Sequence, residues 1–323
     1  MGGSYCFCSN SKTSNSFDLP LIPNIIIKSN NKKKDSSLNN EIFSKKLILE
    51  SKIKMDDIKE NDYSITNYSS ITEESIEKLF KTFSPLEDKI RVETIQLNFT
   101  CEGDYRGEWN PIKKERHGRG IQKWVNGEYY DIYFGYWKNN KINGKGKKIY
   151  QIPINDNIDI FGEIKNLYYD GEWKDNYQNG KGEELWYDNT KYEGDYKNGM
   201  KWGNGKLILP DKTIYKGEFH ENEINGKGVI KYPDGRIYDG EWANNKMNGF
   251  GKFTWPDGKI YLGHYLNNLK DGYGEFTWPN GKKYKGYWTK GKQNEDGEIY
   301  DPIKNKWISG KWKMGVKVLS NAW

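Results

Sequence analysis

From about residue 99 onward, apolar and polar side chains alternate in short runs, the period-2 signature of strands with one buried face. The run Tyr238-Asp-Gly240-Glu-Trp242 is typical. Tyr192-Glu-Gly194-Asp-Tyr196, Tyr215-Lys-Gly217-Glu-Phe219, Tyr261-Leu-Gly263-His-Tyr265 and Tyr284-Lys-Gly286-Tyr-Trp288 repeat it, with central glycines 23 residues apart. Upstream the unit recurs around Gly107, Gly135 and Gly171, at spacings of 28 and 36 that mark insertions. A degenerate unit at Trp307-Ile-Ser-Gly310-Lys-Trp312 closes the series.

A second glycine pair follows nine and eleven residues after most central glycines, as in Gly226/Gly228 and Gly249/Gly251. Asn225-Gly226 and Asn248-Gly249 predict tight hairpin turns, because Asn-Gly accepts positive φ. Pro233-Asp-Gly235, Pro256-Asp-Gly258 and Pro279-Asn-Gly281 then turn the chain into the next unit. Each unit therefore reads as a hairpin, and successive hairpins extend one antiparallel sheet. Two strands at about 4.8 Å make roughly 10 Å per unit, so about nine units span on the order of 80–90 Å.

The first 98 residues read differently. Ser70-Ile71-Thr72-Glu73 has capping-box spacing, and Ile76, Leu79, Phe80 and Phe83 form one apolar stripe, which predicts a helix over about residues 71–83 ended by Pro85. Residues 9–40 are rich in Ser, Asn and Lys and bury too little apolar surface to offset chain entropy. The organisation expected is an anchor over 1–10, a disordered linker over 11–69, a short helix and lead-in strand over 70–98, and the repeat array over 99–323. The fold class is all-β, an elongated single-layer antiparallel solenoid of about eight to nine hairpins.

Composition sharpens this division. All 13 Trp and 33 of the 35 Gly fall after residue 98, which argues against disorder there. Three Cys rule out a disulfide scaffold, and 51 basic against 45 acidic residues leave no nucleic-acid footprint.

Tyr-x-Gly-x-Trp with Gly-x-Gly following, in a 23-residue period over residues 99–318, resembles the MORN (membrane occupation and recognition nexus) repeat. The resemblance implies a curved single-sheet solenoid that scaffolds other proteins, often at membranes or in the cytoskeleton. MORN arrays also sit beside lipid kinase or SET methyltransferase domains, but residues 1–98 have no room for one.

Candidate chemistry is sparse. Gly144-Lys-Gly146-Lys and Gly226-Lys-Gly228 lack the Gly-Lys-Ser/Thr ending of a phosphate loop. His117, His220 and His264 sit at unrelated repeat positions and read as exposed surface residues, with no metal expected. Glu172, Asp195, Glu218 and Glu241 share one phase and read as a solvated face, not paired catalytic carboxylates. No cofactor and no enzymatic activity are expected. The aromatic ladder carries more: Tyr192, Tyr215, Tyr238, Tyr261 and Tyr284 lie in phase with Tyr196, Phe219, Trp242, Tyr265 and Trp288. A single layer has no second sheet to cover these rings, so they stack on one another. The same rings are the expected lining of a groove for a partner helix or peptide.

Met1-Gly2-Gly3-Ser4-Tyr5-Cys6-Phe7-Cys8 supplies the other mechanism. Gly2 meets the requirement for N-myristoylation and is the expected acceptor, although position 6 is Cys where Ser or Thr is usual, an imperfect match. Cys6 and Cys8 are placed for palmitoylation, and Lys32-Lys33-Lys34 offers a basic patch; one acyl chain alone binds marginally. The expectation is a partner-docking scaffold held at the cytoplasmic face of a membrane. The alternatives are a cytoskeletal or ciliary (radial-spoke-like) rod without lipid, and a rod that binds anionic phospholipid headgroups. Pairing of two rods into a homodimer stays open.

Overall fold

A computed structural model describes residues 93–99, 103–127, 129–153 and 166–318. The residues expected to be acylated (Gly2, Cys6 and Cys8), the expected linker and the helix expected over 71–83 lie outside the described residues. Every described element is a strand. The first six are β1 (Glu93–Phe99), β2 (Gly103–Asn110), β3 (Glu115–Asn126), β4 (Tyr129–Lys138), β5 (Lys141–Pro153) and β6 (Asn166–Lys174). Next come β7 (Tyr177–Trp186), β8 (Lys191–Lys197), β9 (Met200–Ile208), β10 (Ile214–His220), β11 (Glu223–Lys231) and β12 (Ile237–Ala243). The last are β13 (Lys246–Thr254), β14 (Ile260–Leu266), β15 (Leu269–Thr277), β16 (Lys283–Thr289), β17 (Lys292–Asp301), β18 (Lys306–Lys313) and β19 (Val316–Val318). Each strand pairs antiparallel with the next, giving one 19-stranded meander. The single-layer hairpin solenoid expected from the sequence is the fold.

The register is pinned by glycine. One glycine per strand, from Gly107 in β2 to Gly310 in β18, faces its counterpart on each neighbour, as Gly228, Gly240 and Gly251 do. Across this row lie the tyrosines. The Tyr238 ring covers Gly240 and Gly251, and its hydroxyl donates to the Glu241 carbonyl at 2.8 Å. Tyr192, Tyr215, Tyr261 and Tyr284 make the same bond three residues on. A sheet with no covering layer thus buries its rings by laying them flat on side-chain-free backbone.

The hairpin turns sit elsewhere than Asn-Gly predicts. Asn244-Asn245 joins β12 to β13 with φ of 49° and 62°, and Asn267-Asn268 and Glu221-Asn222 do the same in neighbouring units. Both residues at positive φ match the twist of paired strands. The second Asn has a further task. The Asn245 amide donates to the Ile224 carbonyl at 3.0 Å, and its side-chain Oδ1 accepts the Ile224 amide at 2.7 Å. Asn140, Asn176, Asn222 and Asn268 repeat this two-way stitch to the hairpin before.

Gly249, expected in the turn, lies inside β13 at φ +92°. There the return strand carries a bulge, since Gly240 faces Gly251 while Trp242 faces Met247. The Glu241 carboxylate crosses to this bulge and accepts the Phe250 amide at 2.7 Å. Glu108 and Asp195 do likewise for Arg119 and Asn204. The recurrent acidic phase is therefore more than a solvated face: where it caps a bulge it satisfies an otherwise unpaired amide.

Candidate functional site

The two faces of the sheet differ in chemistry. On one, a zigzag of rings runs unbroken from Tyr105 to Trp312. From Tyr133 on, each tyrosine of the ladder meets the aromatic residue four positions on and that of a neighbouring hairpin edge-on. Tyr238, for instance, is 5.2 Å from both Trp242 and Tyr265, and Tyr215 is 5.5 Å from Trp242. Edge-to-face pairs are the arrangement the ring quadrupole favours. The indoles of Trp137, Trp173, Trp242 and Trp288 also donate to row-glycine carbonyls, Trp242 to Gly228 at 3.1 Å and Trp288 to Gly274 at 3.2 Å.

All ten ring residues singled out from the sequence belong to this ladder: Tyr192, Tyr196, Tyr215, Phe219, Tyr238, Trp242, Tyr261, Tyr265, Tyr284 and Trp288. None is more than 6% exposed. They form the core of the face, and the side chains that reach water above it come from another repeat position. Four residues after the row glycine of each return strand stand Trp124, Tyr150, Trp186, Leu209, Tyr232, Trp255 and Trp278, partly buried against the ladder. Successive members are two strands apart, about 10 Å. This outer row escapes a reading of the strands alone. The signal that could have found it is the 23-residue period counted from Gly-x-Gly.

Beside the outer row the face holds buried charge. Between the tyrosines the first units place Gln122, Lys148 and Glu184, and the later ones Leu207, Ile230, Phe253, Phe276 and Ile299. Burial raises the pKa of Glu184, opposed by Lys201 and by the Tyr196 hydroxyl that donates to it at 2.8 Å. Burial lowers the pKa of Lys201, opposed in turn by Glu184. Lys148 pairs with Asp131 at 3.0 Å beside Trp124 and Tyr150.

The opposite face is a charged trough of about 980 Å³ along the glycine row, lined among others by Lys145, Glu172, Lys181, Glu193, Lys206 and Lys216. Charges in and beyond it answer each other: Lys181 of the trough meets Asp195 at 2.6 Å, its Glu183 meets Lys191 at 3.1 Å, and farther along the sheet Lys285 meets Glu298 at 2.7 Å. The three histidines do not converge. His220 is exposed and lies tilted against Trp202, ring centroids 4.2 Å apart, and His264 packs beside Phe250. His117, expected at the surface, is instead buried at 1% exposure in β3, next to the first bulge. Among the described residues no three His, Cys, Asp or Glu side chains gather as a metal site.

The MORN repeat model matches seven segments of this chain: 105–129, 133–151, 169–191, 192–214, 215–235, 238–260 and 261–283. The sheet continues in the same glycine register beyond the last of them, through Gly286 and Gly310. No curated protein matches the chain. Among solved structures that do, one is the TCP domain of SAS-4 (dCPAP) of Drosophila melanogaster, in complex with a proline-rich motif of Ana2 (dSTIL). It is 13% identical, with 59% of this chain and 90% of that chain covered, at a TM-score of 0.29. A likeness that low carries no functional comparison.

Proposed function

The chain belongs to the MORN-repeat family, and from that premise we propose that it is a non-catalytic scaffold whose aromatic face docks segments of partner proteins. One observation supports this above the others. The ring ladder closes its own core and still leaves Trp186, Tyr232, Trp255 and Trp278 partly in water at regular intervals. Such rings offer large, stiff, amphipathic contact area at little entropy cost, and they dominate the energetics of interfaces. Binding of anionic headgroups is the weaker reading, because Lys181 of the trough and Lys191 and Lys285 elsewhere on the sheet are paired with Asp and Glu.

In the same proposal Gly2, Cys6 and Cys8 carry acyl chains that hold the scaffold at the cytoplasmic face of a membrane; without them the rod is cytoskeletal or ciliary. One experiment separates the parts. Full-length wild type, Trp255→Ser/Trp278→Ser and Gly2→Ala are compared for acyl label, membrane pelleting and co-isolated proteins. A polar residue, Asp301, already occupies the outer-row position in β17, so the serine variant is expected to keep its strand signal. That variant should still pellet but lose co-isolated partners at least tenfold. Gly2→Ala should lose label and pelleting yet keep its partners. Undiminished co-isolation by the serine variant would end the docking proposal, and a wild type that takes no label and stays soluble would end the tether.

A further inference from the structure

Three cations occupy one repeat position on the aromatic face, four residues before the row glycine of the return strand: Arg116, Lys201 and Lys270. Each lies against rings, as cations do over aromatic faces. Arg116 is 4.7 Å from Trp137, and Lys201 is 4.5 Å from Trp186 and 5.4 Å from Tyr192. Lys270 is enclosed most fully, 5.2 Å from Trp255, 5.0 Å from Tyr261, 4.5 Å from Phe276 and 4.8 Å from Trp288.

The first two have an oxygen acceptor within the face. Arg116 donates to Gln122 Oε1 at 2.8 Å, and Lys201 interacts with the Glu184 carboxylate. Lys270 has none: among the described residues its ammonium makes no ion pair or hydrogen bond. Burial alone acts on it, bringing its pKa down to about 8.

The repeat explains what is missing. The hairpins β8–β9 and β14–β15 are three periods apart without insertion, since Gly194 to Gly263 is 69 residues. Tyr196 corresponds to Tyr265, Lys201 to Lys270 and Trp186 to Trp255, while Glu184 corresponds to Phe253. The surroundings of a carboxylate are retained and the carboxylate itself is replaced by a phenyl ring. Tyr265 registers the loss, for its hydroxyl is buried without a hydrogen-bond partner, whereas the Tyr196 hydroxyl holds Glu184. A buried hydroxyl without an acceptor and a desolvated ammonium without a counter-ion each cost free energy. One carboxylate answers both.

We propose that Lys270, with Tyr265 beneath it, is a receptor for a carboxylate supplied by a partner protein: an Asp or Glu side chain within an otherwise apolar segment lying along the outer aromatic row. This rests on the docking function proposed above. The ammonium, partly in water, meets the carboxylate first. The hydroxyl is the deeper, second donor. The partly exposed outer rings of Trp255 and Trp278 select apolar neighbours for the acidic residue.

The test pans a random 12-residue peptide library against the full-length protein and its variants, then titrates the selected peptides. Lys270→Met, Tyr265→Phe and Phe253→Glu each install a residue found at the same position in another unit (Met247, Phe219 and Glu184), so all three are expected to fold. Selected peptides should share an Asp or Glu among apolar residues, and changing it to Asn or Gln should weaken binding at least tenfold. Lys270→Met should cost tenfold or more. Phe253→Glu should cost as much, by placing a carboxylate of the chain's own beside Lys270. Tyr265→Phe should cost about threefold. Peptides without acidic residues that still need Trp255 and Trp278 would overturn the carboxylate receptor and leave the docking face standing. Unchanged binding by Lys270→Met would also overturn the receptor. A library that yields no peptide at all would overturn both.

Discussion

Gly251→Ala is expected to cost about 3–5 kcal/mol, as much as deleting a buried ring, although it adds only a methyl group. The backbone at Gly251 is not in the left-handed region, so alanine meets no conformational objection. The obstacle is the Tyr238 ring, since a Cβ at 251 would lie 2.6 Å from its Cζ and 2.5 Å from its hydroxyl. Packed rings do not yield by the ångström this requires. Tyr238 would have to leave, giving up its bond to the Glu241 carbonyl and its edge contacts with Trp242 and Tyr265. Denaturant unfolding followed by tryptophan fluorescence measures the loss. A cost under about 1 kcal/mol would mean that the ring moves freely and the glycine row does not fix the register.

Tyr238→Ala is expected to cost a similar 3–5 kcal/mol, from lost transfer free energy and the cavity left over the glycines. Tyr238→Phe, which keeps the ring and loses one hydrogen bond, should cost only about 1 kcal/mol. The two large effects share one cause, so they should not add. With the ring gone, the alanine methyl at 251 enters open space, and Gly251→Ala/Tyr238→Ala should be more stable than the sum of the single losses by about 2–3 kcal/mol. Strict additivity of the two would contradict the ring-on-glycine packing. Because each hairpin touches only its neighbours, a lesion here should also split unfolding into segments on either side of β12–β13.

The strand pairing was legible because the 23-residue period fixes every unit against the next, and a one-residue slip would bring side chains onto the glycine row. The turns were misassigned for a physical reason. Asn248-Gly249 carries the strongest short hairpin signal, but Gly249 uses its positive φ for a bulge facing Glu241, and the turn falls on Asn244-Asn245. The recurring pair at that phase was visible in the sequence; what singles out the second Asn is its bond to the preceding hairpin, a contact between units.

The aromatic ladder was legible as a ladder, but not the depth of its burial. Alternation places Tyr238 and Trp255 on the same side without saying which reaches water. That depends on the tyrosine lying flat over glycine, which leaves the outer row above it. The exchange of Glu184 for Phe253 is plain in the repeat alignment. It gains meaning only when Lys270 and the Tyr265 hydroxyl are seen without the partner their counterparts have.

Docking through the aromatic face is tested most directly by photo-crosslinking from the two sides of one hairpin. A benzophenone amino acid is placed either at position 255 in the outer row or at position 252, where exposed Lys252 faces the opposite side, in the full-length protein in its own cell. Adducts to partner proteins should form from position 255, at least tenfold above those from 252. Adducts arising from 252 and not from 255, or none from 255, would contradict docking on the ring face.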